Sequence, residues 1–378
     1  MRVPHARSPG DLMLIAVFIA ILLAPALLAV TGHAGPDTAF IVAHEQRIPF
    51  KAPRASSGAL ATAGWERDVE RDVADRFPLR TGLIESYSYA KFAWLGGSPN
   101  PFVVRGPNGW LFWTREERQY VSGSWTPDDA DLARVARLYE DRARWCARHG
   151  MRYVLLFAPN KSSIYAAEAP PWYRATAPTP LDRLLPMLRA RGVGTIDVRA
   201  ALVRAARNGD VYMRGDTHWN DAGALIAYRA TVGALHDAGV RDAVAPTGTR
   251  VTTEPGDLLN ISGVGARIPD HGLRLDYRHR EHAGSASPAL ERAAAADFDV
   301  DVSEVDDPSL PTAVLIGDSF SIALVPLFAQ DFRRTVHLRD RNFFANELGR
   351  PALLTEKPAV VIQELLERRL VFSSRFRP

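Results

Sequence analysis

One cysteine, Cys146, stands in 378 residues. A single thiol excludes an intramolecular disulfide, a cysteine-based zinc site and an iron–sulfur cluster held within one chain. Lysine is also scarce, confined to Lys51, Lys91, Lys161 and Lys357, so the basic residues are almost all Arg. Lys+Arg total 46 against Asp+Glu 43, a formal net charge of +3, and no Lys/Arg block is long enough to track a phosphate backbone. Nucleic acid is therefore not an expected partner. No fixed-period repeat runs through the chain, and no H-E-x-x-H metal signature occurs. What is present, 47% hydrophobic and 24% charged residues, is ordinary globular composition at a length that allows one large or two modest domains.

The run from Leu12 to Val30 carries no charge and follows Arg2 and Arg7. It approaches the ~20 apolar residues that a membrane helix needs, and the basic flank keeps the N-terminus cytoplasmic. Pro25 is tolerated in such a helix. Gly32-His33-Ala34 is a weak cleavage candidate, so length favours an uncleaved signal anchor over residues 1–30 with everything after it exported. Residues 31–64, rich in Gly, Pro, Ser and Ala, read as a linker, and the folded body is expected over 65–378.

Within that body helical patterns alternate with short apolar runs. A mostly helical stretch from Trp65 to Leu95 breaks around Pro78. Strands are expected at Phe102–Arg105 and Trp110–Trp113 about a Pro107-Asn108-Gly109 turn, and further along at Tyr153–Phe157, Thr195–Val198, Thr312–Ile316, Thr335–Leu338 and Ala359–Ile362. Helices are expected over Asp128–His149, near Leu181–Ala190, over Asp221–Ala238 and after Phe320. Alternation of this kind implies an α/β fold, a parallel sheet flanked by helices. Residues 240–308 read as a loop-rich insertion with short strands near Leu273–Tyr277 and Phe298–Val302.

Ligands of open parallel sheets bind beyond the carboxyl ends of the strands, which singles out three segments. In Ile316-Gly317-Asp318-Ser319-Phe320-Ser321, Ser319 stands at a strand-to-helix turn, placed either to expose a nucleophilic hydroxyl or, like Asp318, to cap a helix. In Arg214-Gly215-Asp216-Thr217-His218-Trp219-Asn220-Asp221, Asp216 and His218 are two apart. An extended segment would let the carboxylate hold one ring nitrogen and leave the other for a serine. The pair could equally ligate a metal, although no third ligand has convincing spacing, and Asn220 or Asp221 suits a helix cap. In Pro159-Asn160-Lys161-Ser162-Ser163-Ile164-Tyr165, Asn160 suits either a turn or an oxyanion donor, and Lys161 or Tyr165 is placed to position substrate.

These segments, with Gly109-Trp110-Leu111-Phe112 and the closing Lys357–Glu364 stretch followed by Glu367-Arg368, resemble the alginate O-acetyltransferase AlgJ/AlgX family over roughly Trp65 to the C-terminus. The catalytic domain of that family is similar to SGNH hydrolases, with the Asp/His block before the Gly-Asp-Ser block, as here, a circularly permuted order. The resemblance implies a catalytic Ser319, His218 and Asp216. It implies O-acetylation of an exopolysaccharide in the periplasm through an acetyl-serine, with acetyl groups supplied by a membrane-bound O-acyltransferase partner and no cofactor or metal. The anchor-like N-terminus places the chain nearer AlgJ, at the inner membrane, and no C-terminal carbohydrate-binding module is expected. Trp219 and Trp172 are candidates to stack on sugar rings, and Arg339 and Arg341 to meet an acidic polymer. A carbohydrate acetylesterase, or a non-catalytic scaffold of a polysaccharide secretion complex, is the competing expectation.

Overall fold

The computed structural model describes residues 9–32, 35–51, 64–123, 127–175, 177–294, 299–339, 343–345 and 347–370. The chain forms two compact units, residues 1–100 with 259–268 and residues 101–258 with 269–378.

The first unit begins with the helix Pro9–Val30, which buries none of its side chains and is long and apolar enough to cross a membrane. The stretch expected as a linker carries helical turns over Thr38–Phe40 and Ile41–Glu45, and Ile41 is buried. It is tied to the helix Trp65–Asp75 through Asp75, whose carboxylate accepts from Arg47 and from the Phe50 N–H. The Arg47 bond, working against burial, holds that carboxyl down at about 2. A second helix, Arg80–Ala93, follows Pro78, and the expected break between the two is where Leu79 takes φ 66°. The folded body thus starts before Trp65, and residues 65–100 belong with the N-terminal segment rather than with the sheet.

The second unit is built on a seven-stranded sheet. Its chain opens with an antiparallel pair, β1 (Val103–Arg105) and β2 (Leu111–Trp113), turning at Pro107–Gly109 as expected. The main sheet comprises β3 (Arg152–Ala158) and β4 (Gly194–Asp197), then, after a separate antiparallel hairpin of β5 (Pro246–Glu254) and β6 (Asp270–Tyr277), β7 (His282–Ala283), β8 (Val300–Glu304), β9 (Thr312–Ile316), β10 (Arg334–Leu338) and β11 (Val360–Leu366). Strand order is β4-β3-β11-β9-β10-β8-β7. The five strands from β4 to β10 are parallel, while β8 and β7 add an antiparallel edge. The segment read as an insertion therefore contributes strands to the central sheet as well as the hairpin.

Alternation along the strands explains the double-sided core. Val154, Leu156, Leu315 and Ile362 face one apolar cluster with the helix Asp221–Ala234, whereas Leu155, Phe157, Val314 and Val361 face another with the helices Asp129–Arg148 and Pro180–Ala190. Burying both faces favours near-continuous apolar runs, as in Tyr153–Ala158 of β3, Ala313–Ile316 of β9 and Val360–Ile362 of β11. Because β3, β9 and β11 run parallel, Asn160, Ser319 and Glu367 all emerge at one edge of the sheet.

Candidate active site

Ser319 follows β9 through Gly317 and Asp318. A Cβ on Gly317 would stand 2.6 Å from the Ser321 Cβ and 2.8 Å from Glu364 Oε2, so the tight passage beneath the turn requires glycine. Asp318, not Ser319, caps the following 3₁₀ turn Ser319–Leu324 by accepting from the Phe320 N–H. The Ser319 hydroxyl is thereby free for another partner, and its N–H, first in the turn, has no acceptor within the turn.

That partner is His218. Its Nε2 lies 2.8 Å from Ser319 Oγ, and its Nδ1 lies 2.6 Å from Asp216 Oδ1. The alternation argument for the pair does not describe the backbone, since residues 214–218 form a turn and bends rather than a strand. Instead the Asp216 carboxylate accepts both the backbone N–H of His218, at 2.8 Å, and the ring nitrogen. Asn220 caps the helix Asp221–Ala234 through the Gly223 N–H, which separates the capping role from the carboxylate–imidazole pair.

Asp257 was not singled out in the sequence. Its N–H donates to Asp216 Oδ2 at 2.9 Å, its carboxylate accepts from the N–H and hydroxyl of Thr217, and Oδ2 stands 3.7 Å from His218 Nδ1. Gly256 permits this approach, because a Cβ there would collide with the Gly215 carbonyl group. The Gly256-Asp257 dipeptide was the available signal, but it lies 41 residues from Asp216 and nothing local links them.

The electrostatics follow from this geometry. Burial pushes the Asp216 carboxyl up, but the hydrogen bond and charge of His218 outweigh it and hold the group well below the usual carboxylate range. Burial opposes charge on His218, yet Asp216 and Asp257 together raise its pKa above the ordinary 6.5. Asp257, buried beside Asp216, is pushed up to about 6. Asp216, His218 and Asp257 place potential ligand atoms within 4.8 Å of one another, while the His218 ring nitrogens already meet Asp216 and Ser319.

The other expected residues fall into two groups. Asn160 is buried at the same sheet edge. Its N–H donates to Glu367, its Oδ1 accepts from the Arg368 N–H, and its Nδ2 is a buried donor with no partner among the described residues. Lys161 does not line the groove: it is buried, and its ammonium donates to the carbonyl groups of Met213, Arg214 and Asp216 at 3.1, 3.0 and 2.5 Å. Burial lowers its pKa to about 8, and three fixed acceptors make it a clamp beneath the His218 loop. Tyr165 likewise turns inward, its hydroxyl accepting from the Val211 N–H and its ring packing on Trp110. Trp219 is 2% exposed and offers no stacking face; its Nε1 donates to the Phe320 carbonyl and joins the histidine loop to the serine turn. Trp172 is exposed but does not line the groove at Ser319. Arg341 lies outside the described residues.

The hydroxyl of Ser321 donates to the Asp318 carbonyl and meets His337 Nε2 at 2.8 Å, pinning the serine turn to β10. Glu364 accepts from the Asp318 N–H, and Glu367 accepts from Tyr120, Ser163 and Asn160, so the acidic residues of β11 and just beyond are structural ties. A groove of about 730 Å³ opens over Ser319 and His218, walled on one side by residues of the β5–β6 hairpin.

The mixed α/β unit with its central parallel strands is an SGNH-hydrolase-like fold. The chain belongs to the family described as the SGNH hydrolase-like domain of the acetyltransferase AlgX, which residues 103–367 match. It is 28% identical over 253 residues to the probable alginate O-acetylase AlgJ of Pseudomonas aeruginosa, covering 65% of this chain and 61% of that protein. The AlgJ of Azotobacter vinelandii is 26% identical over 301 residues, 74% of this chain and 69% of that one. The fold is shared with Bacillus cereus PatB1 at a TM-score of 0.54 and 16% identity, over 72% of this chain and 97% of PatB1.

Proposed function

We propose that this protein is an O-acetyltransferase that moves acetyl groups onto hydroxyls of an exopolysaccharide in the periplasm, held at the inner membrane by its N-terminal helix. The observation that carries the reading is the unbroken series Asp216–His218–Ser319, with contacts of 2.6 and 2.8 Å at the mouth of an open groove. His218 Nε2 takes the Ser319 proton as Oγ attacks the acetyl carbonyl carbon, and returns that proton to the donor's leaving group. Asp216 fixes the tautomer and stabilises the imidazolium. A sugar hydroxyl then gives its proton to His218 and attacks the acetyl-serine, and Ser319 leaves with the proton restored. The donors for the oxyanion are the Ser319 N–H and the Asn160 amide, whose unpartnered Nδ2 would otherwise cost ~1–3 kcal/mol. Support for the acyl-transfer chemistry comes from membership of an acetyltransferase domain family, and for the polysaccharide from the AlgJ relatives. The acetyl donor on this reading is a membrane-bound O-acyltransferase partner, and no cofactor takes part.

The test incubates the protein with an activated acetyl ester, with and without oligosaccharides, beside Ser319→Ala. Ester cleavage and acetylated sugar, both lost in the variant, are the expected result. Cleavage without acetylated sugar would make the protein an esterase, and identical behaviour of variant and wild type would leave a non-catalytic scaffold.

A further inference from the structure

From the lining of the groove we infer that the acceptor is an uncharged glycan and not a polyuronate, a conclusion that rests on the acetyltransferase reading and narrows its substrate. The described groove contains two guanidinium groups, Arg250 and Arg274, against four carboxylates, Asp216, Asp221, Glu254 and Asp301. With the histidines neutral the formal balance is negative.

The cations are also engaged. Arg274 bonds Asp221 at 3.1 Å and Glu254 at 2.8 Å, and Arg250 has Asp276 at 3.6 Å. Arg339, which follows β10, pairs with Asp299. Asp301 lines the groove with its side chain 71% exposed and meets His337 Nδ1 at 3.4 Å. Burial lowers the pKa of that histidine, so it adds little positive charge to offset the carboxylate. A uronate chain in this groove would bring carboxylates near the exposed Asp301 and near Asp221 and Glu254, whose shared Arg274 offsets only part of their charge.

The same lining suits hydroxyl groups. Carboxylate oxygens accept strongly from O–H donors, and a neutral sugar presents several. Beside them the half-buried ring of Tyr277 lies 4.5 Å from the His279 ring at 33°, and both line the groove. An aromatic ring in the groove wall is suited to the C–H face of a sugar ring. Polar acceptors around an aromatic platform make a site for a polyhydroxyl ligand without charge.

The experiment uses the full chain in detergent with two acceptor sets of equal length: neutral hexose oligosaccharides of several linkages, and mannuronate and guluronate oligomers. Binding is read by saturation-transfer NMR on Ser319→Ala, and acetyl transfer from an activated acetyl ester on the wild type. Neutral oligosaccharides binding and accepting acetyl at least tenfold better than uronates is the expected outcome. Tyr277→Ala should weaken neutral binding, and Asp301→Lys should raise uronate binding, an increase that added salt mimics in the wild type by screening. Uronates bound as well as or better than every neutral set, or no neutral set bound, would overturn the inference. Serine-dependent ester cleavage is scored separately, so loss of that signal with neutral binding intact would count against the acetyltransferase reading alone.

Discussion

His218 sits between two carboxylates of different kinds. Asp216 shares its Nδ1 directly, while Asp257 lies 3.7 Å away and owes its raised pKa of about 6 to burial and to the charge of Asp216. A general base must be neutral, and His218 has a folded pKa above 6.5, so kcat/KM should rise with pH through a value above 6.5. Asp257→Asn removes one negative neighbour and should move that acid limb to lower pH, with Thr217 still held by the side-chain amide oxygen. A pH–rate profile of ester cleavage checks this, and an unmoved limb would show that Asp257 does not act on the imidazole. Asn160→Ala removes a proposed oxyanion donor and should lower kcat by ~10²–10³ with little change in KM. Of these residues, Ser319, His218, Asp216 and Asn160 are legible in the sequence because each closes an apolar run or sits in a distinctive short motif. Lys161 was equally visible but its role was not: whether an ammonium meets substrate or three backbone carbonyl groups depends on what folds over it.

At the scale of elements, the site is a meeting of loops held by backbone contacts. Residues 213–216 rest on the Lys161 ammonium, Gly256 passes under Gly215, and Trp219 joins the histidine loop to the serine turn. Gly256→Ala places a methyl group against the Gly215 carbonyl group, and the loop must shift to relieve it. Misplacement of a reacting group by ~1 Å costs about 10²-fold. The expected outcome is a fall in kcat of that order, read in steady-state ester cleavage, with the far-ultraviolet circular dichroism unchanged. Elements of the main sheet from β3 to β4 and β9 to β11 are legible because burial on both faces demands continuous apolar runs. The β5–β6 hairpin was only partly legible: β5, Pro-Thr-Gly-Thr-Arg-Val-Thr-Thr-Glu, is exposed along most of its length and shows no alternation to detect. β8 (Val300–Glu304) overlaps the strand expected near Phe298–Val302, while the two-residue β7 was obscured, since an antiparallel edge needs only one covered face.

For the whole molecule, the apolar helix Pro9–Val30 and the sheet unit pose separate questions. The helix should place the chain in the membrane fraction, released by detergent and not by high salt, and deletion of residues 1–32 should move it to the soluble fraction with ester cleavage retained. Fractionation with the activity assay tests both, and a soluble full chain would remove the anchor from the proposal. The two compact units were not legible, because residues 259–268 return to the N-terminal unit from within a stretch that reads as one insertion.

The sequence alone determined the α/β alternation, the apolar N-terminal helix and the residues able to do acyl chemistry. Periodicity and short motifs are local, and they survive without knowledge of the fold. Only the tertiary structure decided that Ser319 Oγ meets His218 Nε2 across 101 residues, that Asp257 joins them, and that Lys161, Tyr165 and Trp219 hold the loops of the site together. It also decided the charge of the groove, assembled from β6, the hairpin's Glu254 and the start of β8. Contacts between residues far apart in the chain depend on packing, and packing is the one property that no local pattern carries.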